Sequence, residues 1–152
     1  QEDDFFVNQL QGFADAIDDI TGTMNLIGII ISAFSLLVGG FGIANIMFVS
    51  VKERTNLIGI QKSLGAKRRF ILYQFLFEAM ILAIIGGIFG LILVFFASII
   101  ASQFTGDFEF ILSPFNMFIG TVVAAIIGLI SGILPALKAS KLDPLEAIRT
   151  GM

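Results

Sequence analysis

The chain contains no cysteine, no histidine and no tryptophan. Without cysteine there are no disulfides and no thiolate chemistry; without histidine there is no imidazole acid–base catalysis; without both, the usual zinc sites are gone. Charge is scarce too. Asp, Glu, Lys and Arg make up 14% of the residues, against about 25% in soluble domains. What remains is apolar, with 57% hydrophobic residues and a mean hydropathy of +0.97 over 152 residues. A soluble domain of this length has no interior large enough for that much apolar surface, so lipid is the expected solvent for much of it.

Further absences narrow the chemistry. No G-x-x-x-x-G-K-[ST] run is present to cradle nucleotide phosphates. Gly40-Phe41-Gly42 has a GxG form, but Asn45 stands where a third glycine belongs and the run lies in an apolar segment, so it is no nucleotide loop. No nucleophile has a base within reach in sequence, and no cluster of ligating residues suits a metal. Glu78 is the single ionisable residue expected at membrane depth, which is poor material for an ion or proton relay. Its nearness to the basic loop predicts snorkelling or a pairing with a Lys or Arg there. The chain reads as a non-enzyme with no catalytic, cofactor-binding or metal-binding residues and no nucleic-acid site.

The charges that exist are sorted by position. Net charge is −3, from nine basic and twelve acidic residues. Lys52, Arg54, Lys62, Lys67, Arg68 and Arg69 lie in one loop, and Lys138, Lys141 and Arg149 in the tail. Residues 1–23 and 102–110 carry acids only. Loops rich in Lys and Arg stay on the cytoplasmic side. The expected order is therefore an acidic extracytoplasmic segment (1–23), a span (24–51), a cytoplasmic loop (52–69), a span (70–101), a short extracytoplasmic loop (102–110) with Asp107 and Glu109, a span (111–137) and a cytoplasmic tail (138–152). The N-terminus begins Gln1-Glu2-Asp3-Asp4 and is no secretory signal. An acidic N-terminus on the outside predicts an earlier span upstream of residue 1.

Each segment has internal form. Phe6, Leu10, Phe13, Ile17, Ile20 and Met24 recur at spacings of four and three, the seam of a helical stalk that packs on one neighbour. Gly12 and Thr21-Gly22-Thr23 weaken it. Thr21 to Val51 is uncharged; as helix it is about 46 Å long, more than the roughly 30 Å hydrocarbon core. Gly28, Ser32, Ser35, Gly39 and Gly42 form a small-residue stripe for close helix packing, as do Ala79, Ala83, Gly86 and Gly90 in the second span and Gly120, Ala124, Gly128 and Gly132 in the third. Ser113-Pro114 predicts an N-cap with Pro at N1, and Pro135 a bend or stop. Asp143-Pro144 with Glu146 predicts a capped short helix in the tail, Pro144 to Arg149, ending before Gly151.

The basic loop is itself patterned. Leu57, Ile60 and Leu64 recur at three and four with Ile58 beside them, and Gly65 suits a helix C′ stop. This is a short amphipathic helix at the cytoplasmic surface, able to rest on headgroups or to fit a groove on a soluble protein.

The run from Leu37 to Gly42, Asn45-Ile46-Met47, Val51-Lys52-Glu53-Arg54-Thr55, Ile58-Gly59-Ile60 and Leu64-Gly65-Ala66, with the basic residues after it and the ending LPALKASKLDPLEAIR, resembles the FtsX-like permease family of ABC transporters, of the macrolide-exporter MacB type. The resemblance covers about residues 24–150 and departs from the family at Leu57, where an acid is usual, and at Gln61, where a base is common. It implies an all-α membrane protein: three transmembrane helices out of four, with an amphipathic stalk, a cytoplasmic coupling helix and a short C-terminal helix. It implies a multi-pass inner-membrane location, an ABC ATPase as fused domain or separate subunit that binds Mg-ATP, and a second permease copy. An extracytoplasmic adaptor or outer-membrane partner is implied as well. In that frame Leu57, Ile58, Ile60 and Leu64 are expected to touch the ATPase, Glu53 and Arg54 to orient the helix, and Gly59 and Gly65 to permit close approach and its end. Signalling to cell-wall hydrolases and lipoprotein release are alternative roles within the same family, and a passive membrane scaffold is an alternative outside it.

Overall fold

A computed structural model describes residues 2–105 and 113–149. The readings at Asp107, Glu109, Ile111 and Gly151 lie outside the described residues, as do the side chains of Phe6, Glu146 and Ile148. The described chain is helical: α1 Glu2–Glu53, α2 Thr55–Ser63, α3 Arg68–Thr105, α4 Pro114–Lys141 and α5 Pro144–Arg149. Three stretches are long and apolar enough to cross a membrane, Gln9–Glu53, Arg68–Gln103 and Pro114–Lys141.

The chain divides into two units, Gln1–Val38 and Gly39–Met152. The first is the N-terminal part of α1. Its helix runs unbroken through Gly12, Gly22 and Gly28, since a helical glycine costs only about 1 kcal/mol. Thr21, Thr23, Ser32 and Ser35 turn their hydroxyls onto carbonyls four residues back, which satisfies these polar groups within the helix itself. The described side chains here, including the seam from Leu10 to Met24, are all exposed.

The second unit holds the core. Met47 and Val51 of α1, Ile58 of α2, Ile71, Phe75 and Ala79 of α3, and Ala136 and Ala139 of α4 are buried together. Above this core α3 and α4 pack through small residues. A Cβ on Gly132 would meet the Ala79 Cβ at 2.6 Å; one on Gly128 would meet the Ala83 Cβ at 2.5 Å; one on Gly87 would meet the Ala124 Cβ at 3.1 Å. These rungs follow both helices at steps of four, in antiparallel order, and bring the two backbones together. Gly40 joins α1 to α4 in the same way, its missing Cβ standing 2.8 Å from Ser131 Oγ.

One boundary differs from expectation. Pro135 neither ends α4 nor stands at its edge: the helix continues to Lys141, four residues past the boundary read at Leu137, with Pro135 fully buried inside it. Close packing on both sides holds the turn that the missing N–H would weaken. The tail helix runs Pro144–Arg149, the bounds expected from the sequence. Its start is as read: Asp143 Oδ1 accepts from the Leu145 amide at 3.0 Å and the Asp143 carbonyl from Ala147 at 2.9 Å. At α4, Ser113 occupies the N-cap in extended geometry with Pro114 following, but its hydroxyl makes no capping bond.

Candidate coupling site

The site is α2 and what holds it. A single residue, Arg54, separates α1 from α2, and the amide bonds continue across the joint: Arg54 donates to Ser50 O and Ile58 to Arg54 O, both at 3.0 Å. At its other end α2 closes in a Schellman motif. The amide of Gly65 donates to Lys62 O at 3.0 Å and that of Ala66 to Gln61 O at 2.9 Å. Gly65 has φ +98°, a left-handed conformation that only glycine adopts without penalty. The C′ stop read from the sequence is therefore present.

Three attachments fix α2 to the spans. Its inner face carries Ile58, 2% exposed, and buried Gly59, set in the shared core. Beside its start, Arg54 Nη1 donates to Glu78 Oε2 on α3 at 3.3 Å; both groups keep contact with solvent, so the pair orients more than it stabilises. In its last turn, Lys62 Nζ donates to the carbonyl oxygens of Ser140 and Leu142, each at 2.6 Å. Carbonyls at a helix C-terminus lack intrahelical donors, and an ammonium there answers both their hydrogen-bond need and the helix dipole. Desolvation lowers the Lys62 pKa below the usual lysine value; repulsion from Arg68 acts in the same direction, and Asp143 opposes it. The short helix α5 packs on α2 as well.

The outer face of α2 is apolar and uncovered: Leu57 is 58% exposed, Ile60 43% and Leu64 84%. The residues expected at an ATPase contact thus divide. Leu57, Ile60 and Leu64 face outward. Ile58 is set in the protein's own core and Gly59 is buried. Glu53 is exposed at the end of α1, beside Arg54.

The expected packing residues divide too. Gly128 and Gly132 of α4 pack against Ala83 and Ala79 of α3. Gly86 and Gly90 face open space while Gly87 makes the contact; Gly28, Gly39 and Gly42 have nothing within 4 Å, and Gly40 makes the contact instead. Ser32 and Ser35 are exposed. Lys62 was missed altogether. Its signal was a basic residue in the last turn of a surface helix, which six bases in one loop conceal. Among the described residues no group of three or more ligating side chains could hold a metal ion.

Residues 29–144 match the family FtsX-like permease C-terminal. The chain is 39% identical over 145 residues to the macrolide export ATP-binding/permease protein MacB of Agrobacterium fabrum, covering 95% of this chain and 22% of that protein. It is 41% identical over 145 residues to the protein of that name from Mannheimia succiniciproducens, covering 95% and 23%. With the one from Neisseria meningitidis serogroup A it shares 40% over 146 residues, covering 96% and 23%. The chain thus spans less than a quarter of the length of these curated relatives.

Proposed function

Because this chain belongs to the FtsX-like permease family, we propose that it is the membrane part of an ATP-driven ABC transporter of MacB type, with α2 as its coupling helix. The observation that carries this reading is the two-sidedness of α2. Its inner face and both ends are fastened to the spans, while Leu57, Ile60 and Leu64 are presented as an unpartnered apolar face. An ATPase, fused or separate, binds and hydrolyses Mg-ATP and seats its groove on that face. Movement of the ATPase pulls on α4 through Lys62, on α3 through Arg54–Glu78, and on α1 through the joint at Arg54. The helix α1 carries it toward an extracytoplasmic domain.

The basic loop and tail lie in the cytoplasm, the N-terminus outside, and the chain resides in the bacterial inner membrane. A second permease copy completes the transporter, and the exposed small-residue stripe of α1 supports a helix packing there. An adaptor or outer-membrane partner belongs to the same reading. Export is favoured over signalling and lipoprotein release by the roughly 40% identity to proteins named as macrolide exporters.

The test is Ile60→Asp in the full-length protein with its ATPase, using a macrolide as first substrate. Membrane insertion and basal ATP hydrolysis are expected to persist while export falls at least tenfold. Full export by this variant would sink the coupling role of α2.

A further inference from the structure

A second feature lies beside the α1–α2 joint. A cavity of about 350 Å³ opens between the ends of α1 and α4, lined by Phe48, Val51, Lys52, Thr55, Lys138 and Leu142 among others. Its lining is mostly apolar, with Thr55 and two lysines, Lys52 and Lys138, as the polar members. Lys138 Nζ is held 5.7 Å from the centre of the Phe48 ring, a cation–π contact that fixes the charge at the cavity instead of leaving it to wander in solvent. Among the described side chains neither lysine makes an ion pair; the pair found is Arg54–Glu78. No acidic residue lines the cavity. Of the acids nearest in sequence, Glu53 is exposed, and Asp143 turns its carboxylate onto the Leu145 amide.

Two like charges beside an apolar slot repel each other unless an anion lies between them. The backbone permits one. The Leu142 carbonyl, which would otherwise oppose an anion, is already neutralised by the Lys62 ammonium. The position selects the kind of anion. Lys52 and Lys138 stand in the last turns of helices long and apolar enough to cross a membrane, where the ends of such helices meet lipid headgroups. Basic pockets between spans on the cytoplasmic side suit acidic lipid headgroups.

We propose that this cavity binds one anionic diacyl phospholipid, its phosphate between Lys52 and Lys138 and an acyl chain along Phe48, Val51 and Leu142. The proposal stands apart from the ATPase reading, since it needs only a bilayer.

The full-length protein is reconstituted into nanodiscs of equimolar dioleoyl phosphatidylglycerol and dioleoyl phosphatidylcholine, and retained lipid is read by native mass spectrometry. Wild type retains one phosphatidylglycerol per chain in preference to phosphatidylcholine. Each of Lys52→Gln and Lys138→Gln lowers that preference about fivefold, from the usual worth of one lysine near an acidic surface, and the double variant abolishes it. Lys141→Gln, which removes a neighbouring charge that does not line the cavity, leaves it unchanged and shows that net charge is not the cause. Millimolar inorganic phosphate leaves the lipid in place. Equal retention of the two lipids, undiminished preference in the double variant, an equal loss in Lys141→Gln, or displacement by phosphate alone each overturns the proposal. Lys52→Arg/Lys138→Arg keeps the preference, which separates loss of charge from loss of fold.

Discussion

The side-chain nitrogen of Lys62 lies 2.6 Å from the carbonyl oxygen of Leu142, eighty residues away in sequence. With its second bond to Ser140 it ties the last turn of α2 to the last turn of α4 and the start of the tail. Removing it leaves two partly buried carbonyls without a donor, a loss of about 1–3 kcal/mol. Lys62→Met is therefore expected to lower the thermal midpoint of the purified protein and to speed proteolysis between α4 and α5. An unchanged cleavage rate there would show that α5 is held by its apolar contacts alone.

The packing of α3 on α4 makes a contrast between two glycines. A methyl group at Gly128 has no room beside Ala83 Cβ and Ala79 O, whereas one at Gly86 meets open space. Gly128→Ala is expected to cost about 1–3 kcal/mol by overpacking. Gly86→Ala is expected to be neutral or to stabilise by up to about 1 kcal/mol through helix propensity. Thermal unfolding of both variants in detergent checks the pair, and equal effects would refute the assigned face.

The Arg54–Glu78 pair is solvent-accessible at both ends, so its contribution to stability is small, below about 1 kcal/mol. Glu78→Arg alone places two like charges together and lowers export. Arg54→Glu with Glu78→Arg restores at least half of it. A double-mutant cycle on export, run beside one on thermal stability, separates orientation from stabilisation.

Orientation is open to chemical labelling in cells producing the full-length protein. A cysteine in place of Asp18 is expected to react with an impermeant maleimide from outside, and one in place of Lys67 only after the membrane is opened. The reverse pattern would place the basic loop outside and remove the ATPase from the account.

These residues also show what sequence patterning can and cannot settle. The three spans, the Gly65 stop and the Asp143 cap follow from local rules that act within a few residues. The Gly128 and Gly132 contacts follow from spacing as well. Spacing alone could not choose among the several small-residue stripes of a glycine-rich helix. Gly86 and Gly87 differ by one position and about 100°, and only the partner helix decides between them. The inward turn of Ile58 was hidden for a related reason: α2 has apolar residues on two faces, one for its own spans and one uncovered. Of the two outcomes expected at Pro135, a bend or a stop, the stop is absent, because a proline inside a packed helix need not end it. Lys62 was invisible because its partners are backbone oxygens, which leave no mark in side-chain identity.

The ladder at Ala79–Gly132, Ala83–Gly128 and Gly87–Ala124 has a consequence for motion. Successive rungs lie four residues, about 6 Å, apart on both helices, and a shift of one period that brings Ala79 to Gly128 also sets Ala83 against Ala124. Any smaller slip would drive a methyl group into a backbone. These close contacts oppose sliding of α3 along α4. Sliding is opposed at three points along the hairpin, whereas displacement of the two helices together leaves all three contacts as they are.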